Sequence, residues 1–309
     1  MRTLVGLIGC FFALIALAAP TSTDSDGRIV SLKGQAQRIV SLAPHATELL
    51  FAAGAGDKLV GVSEYSEYPA AALRLPRISS SGGVDLEKVL SLRPDLVVAW
   101  RFEATRGAID RLEKFGIPVF LSEPRQLAEI AENMEALGVL AGTETEARPA
   151  AAALRAGLER LRRDYGGRTQ LKVFYHISVR PLMSLNGQHM VSSVIALCGG
   201  RNILADAPTI APVVGAEAVF SADPDVIVSA QRNPQDLSWK VFWKERFAPL
   251  RAVQEGRLYS VESTVMHRQG PRILVAVESL CRQFDQARQR SAGREAAGVG
   301  IPAKADSRR

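Results

Sequence analysis

The chain carries the stretch LEKVLSLRPDLVVAW at residues 86–100 and a second version of it, AEAVFSADPDVIVSA, at residues 216–230. An acidic residue, Glu87 or Glu217, and a Pro-Asp pair occupy the same places in both versions. In each, a short helical pattern leads through Pro-Asp into a run of apolar, mostly β-branched residues, which is typical of a helix followed by a buried strand. The repeat therefore predicts two halves with one architecture.

Two further blocks repeat in the same order. Residues 48–60 resemble residues 193–204, and residues 117–121 resemble residues 256–260. Short apolar runs alternate with helical patterns, and this alternation indicates βα units around a mostly parallel sheet. The strand candidates are Arg38–Leu42, Leu96–Trp100, Pro118–Leu121, Lys172–His176, Val226–Ser229 and Leu258–Val261.

One long helix is predicted between the halves, from Glu144 to Tyr165, with Leu154, Leu158 and Leu161 on one stripe. Thr143 and Glu146 have the spacing of a capping box, whereas Pro149 either kinks the helix or marks its true start. A helix of this length is a stiff spacer. The predicted organisation is an N-terminal α/β lobe at residues 28–142, a connecting helix at 143–167, a C-terminal α/β lobe at 168–290 and a disordered tail at 291–309.

The N-terminus has the pattern of a secretory signal. Arg2 precedes an apolar run, and Ala16-Leu17-Ala18 offers a cleavage site, so residues 1–18 are predicted to be a signal peptide that is removed on export. Two alternatives remain open. The segment is an uncleaved anchor, or the protein is a lipoprotein attached through Cys10.

Removal of the signal leaves two cysteines, Cys198 and Cys281. An even number of cysteines in an exported protein indicates a disulfide, and these two are the available pair. The alternative is two buried free thiols.

Composition and motifs exclude several classes of protein. The 309 residues are 47% hydrophobic and 23% charged, and the net charge of +6 is spread along the chain rather than clustered, so we expect no nucleic-acid partner. No stretch beyond the N-terminus has the apolar length of a membrane span. The sequence has no phosphate-binding loop, nucleophile elbow or closely spaced histidines, so no catalytic residue, metal site or resident cofactor is predicted, and each histidine alone is expected on the surface or in a loop. An exported two-lobed protein without catalytic groups is typical of solute binding between lobes.

Several segments resemble one family, the periplasmic binding proteins for cobalamin, haem and ferric siderophores. The resemblance is closest to the vitamin B12-binding members and spans about residues 36–288. The segments that carry it are RIVSLAPHATELLFAAG at 38–54, GVSEYSEYP at 61–69, LE at 86–87 with RPDLVVAW at 93–100, LCGGRNI at 197–203, PRI at 271–273 and LC at 280–281.

The resemblance implies two Rossmann-like lobes with mostly parallel sheets, joined by a single long backbone helix. It implies a periplasmic, monomeric protein without enzyme activity that takes up cobalamin as a transported ligand, not as a cofactor. The implied partners are an ABC importer permease and its ATPase. Glu87 and Glu217 match the acidic residues that dock onto the permease, one in each lobe.

The resemblance also implies a ligand site between the lobes. Its predicted members are Tyr65, Trp100 and His45 from the first lobe and Thr264, Val265, Met266, His267 and Arg268 from the second. Met266 and His267 depart from the acidic and aromatic loop of the vitamin B12-binding members. The same fold binding haem or a ferric siderophore is therefore an alternative, with His45 or His267 as a candidate axial metal ligand. An exported enzyme or an accessory protein without a transport role is a further alternative.

Overall fold

The structure is a computed structural model that describes residues 19–80, 83–233 and 235–296. The predicted signal peptide, the candidate lipidation site Cys10 and residues 297–309 lie outside the described residues. Within them, no helix combines the length and the apolar character that a membrane crossing needs.

The N-terminal lobe is built around a parallel sheet in the order β4-β3-β7-β8. Two short antiparallel pairs, β1 with β2 and β5 with β6, lie outside that sheet. The strands are β1 (Thr21–Thr23), β2 (Ile29–Ser31), β3 (Ile39–Ser41), β4 (Leu59–Val62), β5 (Ser79–Ser80), β6 (Gly83–Val84), β7 (Leu96–Ala99) and β8 (Val119–Leu121). The helices are α1 (Pro44–Ala52), α2 (Leu86–Ser91), α3 (Glu103–Lys114) and α4 (Leu127–Ala141), with 3-10 turns at Gly56–Lys58 and Ala70–Arg74.

The C-terminal lobe repeats this plan. Parallel strands follow the order β11-β9-β12-β13, and β10 pairs antiparallel with the last part of β9. The strands are β9 (Leu171–Val179), β10 (Leu182–Ser184), β11 (Gly200–Asn202), β12 (Val226–Gln231) and β13 (Leu258–Glu262). The helices are α6 (Met190–Leu197), α7 (Ala216–Ala222), α8 (Ser238–Arg246), α9 (Arg251–Gln254), α10 (Ser263–Met266) and α11 (Ile273–Ala296). All six strand candidates from the sequence are strands, with ends shifted by up to three residues.

The duplicated stretch forms the same unit in both lobes, α2 to β7 and α7 to β12. Arg93 and Asp223, each directly before the proline, both have a positive φ, 47° and 41°. The aspartate after each proline fixes its strand to the neighbouring one in the same way in both lobes. The Asp95 carboxylate accepts from the Gln37 backbone N–H at 2.8 Å, and Asp225 accepts from that of Lys172 at 2.7 Å. The repeated Pro-Asp is thus a backbone device, because its aspartate satisfies a neighbouring strand's amide.

The connecting helix is α5 (Glu144–Tyr165), with the bounds that the sequence predicts. Pro149 lies inside it, so the sequence correctly placed both helix ends despite the proline. The predicted capping box is wrong, because the Thr143 side chain makes no cap bond and instead donates to the Ala53 carbonyl at 2.6 Å. This bond ties the start of α5 to the end of α1.

The predicted start of the tail is also wrong. Helix α11 continues to Ala296, so residues 291–296 are helical rather than disordered. This final helix packs against α5 and carries Cys281, whose disulfide with Cys198 closes a separation of 83 residues. The predicted disulfide is confirmed, and it joins the end of α6 to α11.

The hydrophobic core is continuous between the lobes. One buried cluster includes Leu137 of α4, Leu154 and Leu158 of α5, Val194 of α6 and Val277 of α11. Two smaller clusters lie on the other faces of the sheets, one within each lobe. The connecting helix therefore buries one face in a core that both lobes share, whereas its opposite face is exposed.

Candidate ligand-binding cleft

The candidate cleft lies where the carboxyl ends of both parallel sheets meet. In open α/β sheets, ligands bind outside the carboxyl ends of the strands, because loops rather than backbone ladders occupy that edge. Tyr65 follows β4 and Trp100 follows β7, whereas Thr264 and Arg268 follow β13. Contacts between Tyr65 and Arg268 show that these two edges face one another. The structure therefore brings together residues that are about 200 positions apart.

Aromatic rings dominate the N-terminal side of the cleft. Tyr65 is 51% exposed and Tyr68 is 46% exposed, so both rings are accessible to a ligand. Trp100 is half-buried, and its ring centroid lies 4.8 Å from that of Phe102. Such rings provide a large apolar contact area with little loss of conformational entropy on binding.

The sequence analysis predicted that His45 faces the cleft, but the structure buries it. It is 3% exposed, and its Nε2 lies 2.8 Å from the Ser122 carbonyl oxygen, to which that nitrogen donates. Its ring also meets Trp100 edge-on, with centroids 6.1 Å apart. Burial lowers the pKa of His45 to about 4, so the ring is neutral at pH 7. His45 thus supports Trp100 and does not offer Nε2 to a ligand.

The segment from Thr264 to Arg268 divides between cleft and core. Val265 and Met266 were predicted to be ligand contacts, but both are buried in the hydrophobic core, because the helical turn α10 directs them inward. Thr264 is half-buried, and its hydroxyl donates to Glu262. Three of the five predicted residues, Thr264, His267 and Arg268, keep some exposure.

His267 is tied to Tyr175 below the cleft. Its Nε2 lies 2.7 Å from the Tyr175 hydroxyl oxygen, which occupies one of its two ring nitrogens. Burial, and then the nearby His189, lower the pKa of His267 to about 4. The ring is therefore neutral at pH 7 and can act as a donor or an acceptor for a ligand.

Basic residues dominate the C-terminal side. Arg268 donates to the Tyr65 backbone carbonyl at 3.0 Å, and Arg272 donates to the Glu48 carboxylate at 2.6 and 2.9 Å. The guanidinium carbon of Arg232, just beyond β12, lies 5.9 Å from the centre of the Tyr65 ring. These three arginines link the lobes across the cleft.

Sequence reasoning missed four residues at this boundary: Glu48, Tyr68, Arg232 and Arg272. Three of them lie inside segments that carry the family resemblance, TELLF, YSEYP and PRI. The motifs therefore marked them, but only the three-dimensional contacts reveal what they do. Arg232 lies outside those segments and had no sequence signal.

A cavity of about 570 Å³ opens beside the ends of β9 and β12, between the sheet and α8. His176 lines it and is buried, with its Nε2 accepting from the Trp243 indole N–H at 3.2 Å. Burial lowers the pKa of His176 to about 3. Like His45, it is a core histidine, contrary to the expectation of a surface or loop position.

Glu87 and Glu217 occupy equivalent places in the two lobes. Each lies in the first turn of its short helix, α2 or α7, and each is exposed. Acidic residues are stabilised there by the amide dipoles of the helix N-terminus. Within the described residues, no three His, Cys, Asp or Glu side chains are grouped so as to hold a metal ion.

Comparison with known proteins gives a consistent result. The model of the family described as periplasmic binding protein matches residues 39–265. The vitamin B12-binding protein of Vibrio cholerae is 38% identical over 246 residues, which cover 80% of this chain and 88% of that relative. The vitamin B12-binding protein of Photorhabdus laumondii is 34% identical over 255 residues, which cover 82% of this chain and 90% of that relative.

Solved structures share the fold. The crystal structure of the periplasmic vitamin B12 binding protein BtuF of Vibrio cholerae is similar, with a TM-score of 0.75 and 37% identity, covering 82% of this chain and 98% of that one. The periplasmic heme-binding protein RhuT from Roseiflexus sp. RS-1 matches with a TM-score of 0.71 at 24% identity, covering 82% and 99%, which shows the fold alone. With its two sheets of equal strand order, its connecting helix and its matching relatives, this chain belongs to the periplasmic binding protein family.

Proposed function

We propose that this protein captures cobalamin between its two lobes. The observation that carries the proposal is the 38% identity, over 80% of the chain, with a relative named as a vitamin B12-binding protein. The proposal applies that relative's named ligand to the cleft of this chain.

The chemistry of the cleft supports the same ligand. A corrin ring presents broad apolar faces, a rim of carboxamide arms and a nucleotide tail with one phosphate. Tyr65, Tyr68 and Trp100 supply aromatic area for the apolar faces. Arg232 and Arg268 supply donors for amide oxygens and the phosphate, for which a guanidinium is well suited.

We also propose that the protein delivers its ligand in the periplasm to an ABC importer, made of a permease and an ATPase. Glu87 and Glu217 would each engage one half of a two-fold permease, since they occupy equivalent places in the two lobes. Charges at such a rim steer and orient a partner more than they add affinity. The proposed role is transport without catalysis, by a monomeric binding protein.

A ligand panel tests the proposal. The exported protein is mixed with cyanocobalamin, haemin and a ferric siderophore, and binding is measured by calorimetry and absorbance. Cyanocobalamin should bind with a Kd at or below about 1 μM, or about −8 kcal/mol. Haemin or siderophore binding without cyanocobalamin binding would contradict the proposal.

Haem is the second candidate, because His267 keeps some exposure and its bond to Tyr175 uses only Nε2, one of the two ring nitrogens. Its discriminating sign is spectroscopic. A histidine-ligated haem would shift the Soret band of haemin, and His267→Ala would remove that shift. Cobalamin bound through the aromatic side of the cleft should tolerate the same change with little loss of affinity.

A further inference from the structure

A buried carboxylate lies at the boundary between the lobes. Glu48, on α1 of the N-terminal lobe, is 2% exposed. Arg272 approaches it with two donors, Nε at 2.9 Å from Oε2 and Nη2 at 2.6 Å from Oε1, and Arg268 Nη1 lies 3.3 Å from Oε1. Both arginines belong to the C-terminal lobe. A carboxylate is stable away from water only when it is paired, so the burial of Glu48 depends on the lobes staying together.

The segment that carries the arginines is shaped for this approach. A Cβ on Gly270 would lie 3.2 Å from Glu48 Oε2, so a side chain there would crowd the carboxylate. Glycine allows the loop to pass close enough for both guanidinium groups to reach the same carboxylate. Pairing with Glu48 raises the pKa of Arg272 above its ordinary value, against the opposing effect of burial.

The same two arginines also contact the tyrosine segment of the cleft. Arg268 Nη2 donates to the Tyr65 backbone carbonyl at 3.0 Å. The guanidinium carbon of Arg272 lies 4.2 Å from the centre of the Tyr68 ring, which is the geometry of a cation–π contact. The ion pairs therefore connect lobe position with the placement of two aromatic residues at the cleft.

We propose that Glu48, Arg268 and Arg272 form an inter-lobe clasp that sets the angle between the lobes and holds the Tyr65 segment in position for the ligand. Glu48 and Arg272 are positioning residues, whereas Arg268 also has the ligand contact proposed above. A protein with an intact clasp keeps its lobes in one arrangement without ligand, and it releases ligand slowly. The statement about ligand release rests on the proposed function, whereas the statement about the lobe angle does not.

Spin-label distances test the lobe angle directly. Lys88→Cys and Ala218→Cys place labels at exposed sites, one in each lobe, in a protein whose native disulfide stays oxidised. In the ligand-free protein, Glu48→Gln should broaden and shift the distance distribution, because two arginines lose their shared anion. The matched control is Glu135→Gln. It breaks a pair in which Arg155 also donates twice, at 2.6 and 2.7 Å, but between α4 and α5. The control should leave the distribution unchanged.

Ligand release is the second readout. In Glu48→Gln, cyanocobalamin should dissociate at least tenfold faster, about 1.4 kcal/mol, with a smaller change in the association rate. Glu48→Asp keeps the charge and should recover part of the native rate. Arg272→Lys keeps the charge but loses the double donation, and it replaces Glu48→Gln if that variant does not fold.

Unchanged label distances in the folded variants would overturn the clasp. Changed distances with an unchanged dissociation rate would overturn the positioning of the Tyr65 segment. If neither the native protein nor any variant binds cyanocobalamin while the distances still change, the proposed function fails and the clasp stands.

Discussion

The two lobes have the same strand order, yet they present different side chains to the cleft, aromatic rings from one lobe and arginines from the other. The N-terminal lobe contributes half-exposed rings, Tyr65 and Tyr68, whereas the C-terminal lobe contributes Arg232 and Arg268. The shared parts are backbone devices, such as the positive φ of Arg93 and Asp223. The lobes therefore share the devices that fold them, whereas the loops after their strands carry different side chains at the cleft.

The lobes also differ in how they are held together internally. Residues 28–142 contain no cysteine, whereas the C-terminal lobe contains the disulfide between Cys198 and Cys281. The N-terminal lobe therefore has no disulfide within residues 28–142 and relies on packing, hydrogen bonds and ion pairs such as that between Arg28 and Glu113. The following predictions test whether this contrast between the lobes is real, beginning with the largest expected effect.

Removal of the disulfide should destabilise the C-terminal lobe most. Cys198→Ala together with Cys281→Ala reopens a separation of 83 residues, which should lower the free energy of unfolding by about 4 kcal/mol. Urea denaturation of both proteins measures the difference. Mass spectrometry that finds two alkylatable thiols in the non-reduced native protein would contradict the premise.

Truncation of the aromatic side should weaken ligand binding. Trp100→Ala removes ring area at the cleft, so cyanocobalamin affinity should fall by about 2 kcal/mol, or roughly 30-fold. Phe115→Ala is the control, because Phe115 is exposed beyond the end of α3, before β8, and so lies far from the carboxyl ends of the strands. Equal losses of cyanocobalamin affinity in both variants would show that Trp100 does not contact the ligand.

The buried histidines should make both lobes sensitive to acid. The pKa of His45 is lowered to about 4 and that of His176 to about 3, so the unfolded chain gains protons first as the pH falls below 6.5. Each histidine then costs about 2 kcal/mol of stability between pH 7 and pH 5. His45→Gln and His176→Gln should each reduce that loss, as urea denaturation at both pH values would show. A pH dependence identical to that of the native protein would mean that the replaced ring titrates normally.

The smallest effect on ligand affinity is expected at the two exposed acids. Glu87→Ala with Glu217→Ala should impair transport and weaken complex formation with the permease, most at low ionic strength, because exposed charges act through a screened field. Ligand affinity should stay within tenfold of the native value. A larger loss of ligand affinity would show that these residues belong to the ligand site. Single variants show whether the lobes contribute equally to docking.

Much of the fold could be predicted from the sequence because local sequence patterns determine its helices and strands. Helix α5 follows from its leucine stripe between Thr143 and Gly166, and the strands follow from β-branched runs after Pro-Asp. The error at Thr143 arose because its hydroxyl found a tertiary partner in Ala53. The error in the tail arose because residues without apolar periodicity simply continue α11 to Ala296.

The cleft was less predictable for a physical reason. Motifs indicated which loops reach it, but not which side chains turn inward, so His45, Val265 and Met266 were assigned to the ligand although they are buried. The contact between Glu48 and Arg272 spans 224 residues, and no local sequence pattern predicts such a partner. Burial and long-range charge pairing arise only when the two lobes pack together.

The connecting helix has a mechanical consequence. In the described part of the chain, the polypeptide passes from one lobe to the other once, through α5 of 22 residues, about 33 Å of continuous helix. Pro149 lies near the start of that helix, and the stretch after it contains no further proline, so this stretch bends gently rather than folding at a point. Displacing the lobes therefore stores elastic energy in the helix and in the core around it. A partner that opens the cleft must supply that energy on binding, and the lobes should return to their resting angle when the partner dissociates.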